Sequence, residues 1–231
     1  MISIEGLKKQ YKEAVVLDVP LLEIGSGECF GLVGNNGAGK TTLFRIILDL
    51  VRATSGTVSM EGQDVSKHEE WKSFVGAYLD EHMLLSYLTP DEYFQSLRKI
   101  YGLSEADLQT HLDKFRDFFN NEILGKNKYI RDLSKGNVKK VGIAAAMIGN
   151  PRVVMLDEPF ENLDPTSQNR LKRLIQEETI NNELTWLISS HDLNHVTEIC
   201  DRIVLLEKGK VIKDLKDKDL MASELDTYFN Y

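Results

Sequence analysis

Residues 34–41 read Gly-Asn-Asn-Gly-Ala-Gly-Lys-Thr, a spacing of glycines, lysine and hydroxyl suited to holding a polyphosphate. The run fits G-x-x-x-x-G-K-[ST], and its flanks fit too. Cys29–Val33 ahead of it is an apolar run of strand length, and Thr41–Leu48 behind it has the apolar spacing of a helix. Strand, glycine loop and helix start together make an anion site. Gly34, Gly37 and Gly39 let backbone N–H groups turn inward, and the helix dipole adds positive potential. The nucleotide-binding set is therefore Gly34, Asn35, Asn36, Gly37, Ala38, Gly39, Lys40 and Thr41. Lys40 is expected on the β- and γ-phosphates and the Thr41 hydroxyl on Mg²⁺. This pattern implies binding of a nucleoside triphosphate.

Hydrolysis needs a metal anchor and a group that activates water. Asp157 closes the apolar run Val153–Leu156, where a carboxylate at the C-terminal end of a parallel strand faces the phosphates and holds Mg²⁺. Glu158 follows as the candidate general base. The bland alternative is a surface Asp-Glu pair closing a strand before Pro159. His191 comes after the strand-like Trp186–Ser190 and is placed to hydrogen-bond a γ-phosphate. His191 and His195 also have the spacing of zinc ligands on a helix, but Asp192 stands where that motif has glutamate. A plain helix-cap histidine is the remaining alternative.

The elements that position these groups can be read from patterning. The first 30 residues alternate apolar and polar, with a further hairpin over 51–65, which predicts an antiparallel sheet. Phe74–Leu79, Val153–Leu156, Trp186–Ser189 and Ile203–Leu206 read as short strands, and 166–180 and 192–200 as helices. From Pro90 to Met147 the pattern is helical. Thr89 caps one helix with Pro90 at its first position. Ser104 and Asp107 form a capping box for another over 104–121, with Leu108, Leu112, Phe115 and Phe119 as its core stripe. The fold class expected is α/β: a mostly parallel sheet flanked by helices (about 1–85 and 150–213), with an N-terminal antiparallel β subdomain. An inserted helical subdomain (about 86–149) and a short helical tail (214–231) complete a single domain.

Composition narrows the partners. With 231 residues, 42 % hydrophobic and 28 % charged, the chain is globular and long enough for a large core. A net charge of −8 argues against nucleic acid as the main partner. The apolar stretch Val141–Ile148 falls far short of the ~20 residues a bilayer span needs. The start Met1–Glu5 lacks the features of a signal peptide. Cys29 and Cys200 read as buried free thiols in a reducing compartment. Cytoplasmic residence follows as the expectation.

One further segment makes a family resemblance specific. Leu133-Ser134-Lys135-Gly136-Asn137 lies 20 residues before Asp157 and opens the helix running through Ala144–Ala146. Together with the 34–41 loop, Asp157-Glu158-Pro159 and His191, it resembles the ATP-binding cassette (ABC) of ABC transporters, over roughly residues 2–213. In that family two copies pack head to tail. The resemblance implies a P-loop ATPase fold, and that Ser134 and the Gly136 N–H touch ATP held by a second, partner copy. It also implies that Tyr11 stacks on adenine and that Thr42 contacts the α-phosphate side. Asp164 falls in the loop coupling the copies. By the same resemblance Asp80 takes the place of a glutamine that approaches Mg²⁺ and water, with Glu81 as a rival. Lys135 and Asn137 depart from L-S-G-G-Q, as Glu161-Asn162-Leu163 does from the usual small residues. The implied function is the ATP-hydrolysing subunit, with cofactors ATP and Mg²⁺, of a transporter whose permease is a separate transmembrane chain. It would work peripherally on the inner face of the cell membrane, and the departures point to export. Met83, Leu84, Leu85 and Tyr87 are the expected exposed apolar docking set. The alternatives are a soluble ABC-type ATPase acting on a non-transport complex, and a slow, switch-like ATP binder.

Overall fold

Alternating burial builds the first sheet. In the computed structural model, which describes residues 1–182 and 184–216, β1 (Ile2–Tyr11) buries Ile2, Ile4 and Leu7. The next strand, β2 (Ala14–Ile24), buries Leu17, Val19, Leu22 and Ile24. The two pair antiparallel from Ile2↔Ile24 to Tyr11↔Ala14. The third strand, β3 (Cys29–Val33), is buried throughout, as expected of a strand covered on both faces. It feeds α1 (Lys40–Ile47). After α1, β4 (Ser55–Met60) and β5 (Gln63–Asp64) complete a four-stranded antiparallel sheet ordered β2-β1-β4-β5.

The second sheet starts with β6 (Val75–Tyr78). Four helices then intervene: α2 (Pro90–Ile100), α3 (Glu105–Lys114), α4 (Arg116–Phe119) and α5 (Lys135–Ala146). The α/β pattern resumes with β7 (Val153–Asp157), α6 (Pro165–Asn182), β8 (Thr185–Ser190), α7 (Leu193–Ile199), β9 (Arg202–Glu207) and β10 (Lys210–Leu215). Six strands pair in the order β10-β9-β3-β8-β7-β6. All neighbours are parallel except β10, which runs antiparallel to β9.

The period of two divides the central strands between two cores. Phe30, Leu32, Met155 and Leu187 join the antiparallel sheet and the apolar face of α1. Cys29, Val33, Val154, Leu156, Trp186 and Ile188 face the helices. Register then brings three strand ends together: Val33 pairs with Ser190, and Asp157 with Ser189. The loop at 34, the pair 157–158 and the turn at 191 therefore share one sheet edge, where ligands of such sheets sit.

Three expectations need correction. The helix foreseen over 104–121 is interrupted at Phe115, whose N–H turns to the Leu112 carbonyl (3.1 Å) while its ring is fully buried. Packing of Phe115, Phe118 and Phe119 in the core overrides the continuous helical period. Leu84 is buried, not exposed: it leaves the 3₁₀ turn Glu81–Met83 in extended conformation, which turns it inward and Leu85 outward. Met83, Leu85 and Tyr87 are exposed as foreseen. Asp214 and Leu215 belong to β10 rather than a helical tail, held where Asp214 accepts two hydrogen bonds from Arg202 (2.7 and 2.6 Å). The rest of that tail, 217–231, lies outside the described residues. Cys29 and Cys200 are buried and not disulfide-bonded, with their sulfurs 3.7 Å apart. Among the described residues, no helix is long and apolar enough to cross a membrane.

Candidate active site

The glycine loop takes a conformation that its sequence allows. Gly37 and Gly39 have φ of 83° and 110°, outside the range ordinary side chains favour. Gly39 then forms the N-terminal cap of α1, which has no side-chain cap bond, so the helix end offers backbone N–H groups to an anion. The loop lines a cavity of about 250 Å³ walled by Asn35, Asn36, Gly37, Thr41, Thr42 and Glu158, among others. Lys40 is buried, and its Nζ donates to the Gly34 carbonyl at 2.6 Å and lies 3.1 Å from Glu158 Oε1. That cation thus spans from the loop backbone to Glu158.

Asp157 ends β7 with one carboxylate oxygen accepting the Thr41 hydroxyl at 2.5 Å and the other accepting the Ser189 hydroxyl. Burial raises its pKa above the usual carboxylate value, and these two hydrogen bonds oppose the shift. Thr41 and Asp157 form a hard oxygen pair beside the phosphate loop. A magnesium ion fits such a pair because it takes one or two protein oxygens and completes its shell with water and phosphate. Among the described residues no cluster of three or more His, Cys, Asp and Glu side chains is arranged to hold a metal alone. His191 and His195 do not form a zinc pair. His191 turns to Glu158, while His195 stacks on Phe160 with ring centroids 4.6 Å apart.

Glu158 is the best-connected group. Its backbone N–H donates to Ser189 Oγ (2.9 Å), and its Oε2 accepts the His191 backbone N–H (3.2 Å) and meets His191 Nδ1 at 2.9 Å. Its Oε1 meets Lys40. Glu158 also has φ 48°, a left-handed turn that swings its carboxylate from the strand direction toward the loop. A carboxylate held between a lysine and a histidine, at the mouth of the phosphate cavity, is placed to take a proton from attacking water.

The remaining expected residues are dispersed around this centre. Asp80 is bound to Arg45 of α1 (3.0 Å), and its other oxygen accepts the His82 N–H. It lines a neighbouring cavity of about 340 Å³ with Glu81, Lys135, Lys139, Asp157 and Glu158. Asp80 is thus already paired with Arg45, which the sequence did not reveal. Tyr11 is half exposed with Lys9 4.5 Å above its ring. Val16, not Tyr11, contributes to the wall of the phosphate cavity.

Ser134 caps α5 by accepting the Asn137 N–H, and both Ser134 and Lys135 are exposed. None of Leu133–Asn137 lines this chain's own phosphate cavity. Asp164 accepts the backbone N–H and hydroxyl of Ser167 (3.0 and 2.5 Å), which caps the start of α6 and holds its carboxyl below the ordinary range. Two contributors escaped sequence reasoning. Ser189 was visible as a polar end to an apolar strand; Lys139 sits in an apolar helix with nothing local to mark it.

Comparison with known proteins agrees with this fold. The family model described as "ABC transporter" matches residues 17–161. The "Uncharacterized ABC transporter ATP-binding protein YhaQ" of Bacillus subtilis is 33 % identical over 96 % of this chain and 74 % of its own length. The "Lantibiotic transport ATP-binding protein SrtF" of Streptococcus pyogenes is 32 % identical over 100 % of this chain and 96 % of its own. Among solved structures, an ATP-binding subunit of an ABC transporter superposes with a TM-score of 0.83 at 28 % identity, covering 97 % of this chain and 93 % of that one.

Proposed function

The chain belongs to the ABC transporter family as an ATP-binding cassette with ATPase chemistry, and from that premise we propose that it hydrolyses MgATP as a head-to-tail dimer to power export through a separate membrane permease. The observation that carries the reading is the single cluster of Lys40, Thr41, Asp157, Glu158, Ser189 and His191 at one sheet edge.

In this reading the loop N–H groups and the α1 N-terminus bind the phosphates, and Lys40 transfers its cation from Glu158 to the β- and γ-oxygens. Thr41 and Asp157 would hold magnesium, which when bound would supply positive charge beside the phosphates. Glu158, freed from Lys40, orients water and accepts its proton. His191 Nδ1 fixes the Glu158 carboxylate, and in this reading its imidazole would hydrogen-bond the γ-phosphate. Tyr11 supplies a face for adenine.

The dimer is supported by the outward placement of Ser134 at a helix N-terminus, away from this chain's own phosphate cavity. A second copy would bring its own Ser134–Asn137 turn to the exposed side of the cavity. A permease partner on the membrane's inner face is supported by the exposed Met83, Leu85 and Tyr87 beside Asp80, and by the transport named for SrtF. Export rests on the acidic Asp80 and on Lys135 in the Leu133–Asn137 segment.

A pull-down tests this directly. Tagged Glu158→Gln, loaded with ATP, is used on detergent-solubilised membranes of the native cell. Recovery of a polytopic membrane protein in near-equal amount supports the transporter reading. Recovery of soluble partners alone contradicts it in favour of an ATPase serving a non-transport complex.

A further inference from the structure

Lys139 is 8 % exposed within α5, a costly position for an ammonium group unless it is paired. Its Nζ donates to the backbone carbonyl of Glu158 at 2.5 Å and lies 4.0 Å from the Glu161 carboxylate. The carbonyl it holds belongs to the left-handed residue of the site, φ 48°. A side-chain residue keeps that conformation only where its surroundings impose it. The same carbonyl accepts the Glu161 N–H at 3.3 Å, so the turn after Glu158 closes on one oxygen that α5 also grips.

A second contact joins the same two segments. A Cβ on Gly136 would lie 2.7 Å from the Asn162 carbonyl oxygen, so the first turn of α5 meets the 158–162 turn at backbone distance. Ser134, which caps that helix, is five residues from Lys139, about 7.5 Å along the axis. One rigid turn and a half of helix therefore runs from the exposed Ser134–Asn137 end to the carbonyl of the general base.

We propose that Lys139 is a positioning residue: it clamps the Glu158 carbonyl to α5, so that the carboxylate at one ATP site and the Ser134–Asn137 turn move as a unit. The inference rests on the ATPase reading above and deepens it. In a head-to-tail dimer the unit would link the water-activating group of one site to the turn that serves the other.

The test uses Lys139→Met and Lys139→Gln in the full chain. It compares MgATP turnover, nucleotide affinity, thermal unfolding and amide hydrogen exchange with the wild type. Lys139→Met removes a charged hydrogen bond at matched length and should lower kcat about tenfold or more, with nucleotide affinity and thermal midpoint nearly unchanged. Exchange should quicken at Glu161, Leu163 and Asn137. Lys139→Gln keeps an N–H donor and should recover part of the turnover. Unchanged kcat, unchanged exchange at Glu161 and Leu163, or a joint fall of kcat, affinity and thermal midpoint would each overturn the proposal. A wild type without ATP turnover would instead contradict the ATPase reading, and the exchange comparison would still decide the role of Lys139.

Discussion

At Asp157 a carboxylate is buried beneath the phosphate loop with both oxygens engaged by hydroxyls. Burial raises its pKa, so the folded chain holds this proton more tightly than the unfolded chain does. Its contribution to stability therefore falls as pH rises from the unfolded value through the folded one. Near neutral pH the ionised group costs stability that metal binding can offset. Asp157→Asn should consequently raise the thermal midpoint at pH 7 without added magnesium or nucleotide, and the gain should shrink on acidification. The same variant should lose MgATP turnover. A lower midpoint at pH 7 would count against this account of the site. His191 offers a second test at this scale. His191→Ala removes the imidazole from Glu158, while the backbone N–H bond to the same carboxylate remains. Phosphate release should fall about a hundredfold, and titration with a fluorescent nucleotide should show near wild-type affinity.

The helices and strands explain why these residues meet. Capping chemistry is local, so Thr89 with Pro90 and Ser104 with Asp107 mark their helices in the sequence as in the structure, where Glu92 completes the Thr89 cap. Buried-strand runs ending at Val33 and Asp157 were equally legible, because parallel strands covered on both faces leave no polar alternation. The break at Phe115 was not, since it arises from aromatic packing between distant segments. The seating of α5 on the sheet was hidden for the same reason. A Cβ on Gly142 would lie 2.1 Å from the Tyr78 ring, so the helix rests directly on β6. Gly142→Ala should lower stability by about 1–3 kcal/mol, seen as a lower urea midpoint at unchanged slope. Because α5 carries both Ser134 and Lys139, turnover should fall as well. An unchanged midpoint would mean that the β6–α5 contact is looser than described.

Across the whole molecule, legibility follows sequence separation. The loop 34–41, Asp157-Glu158 and His191 could be read because each pairs a chemical type with a local strand or helix boundary. Their convergence depends on the order β10-β9-β3-β8-β7-β6, which no local period encodes. Pairings such as Arg45 with Asp80, Lys139 with Glu158 and Cys29 beside Cys200 likewise join segments that only folding brings together. The resemblance pointed to the family, and the fold brings Lys40, Asp157, Glu158 and His191 of this chain to one place. The central claim is that they hydrolyse ATP with Glu158 as the base. The most direct measurement is phosphate release from MgATP by the wild type and by Glu158→Gln, with ATP binding measured on both. The account predicts equal binding and turnover lower by about 10²–10⁴ in the variant; a variant that releases phosphate at the wild-type rate would contradict it.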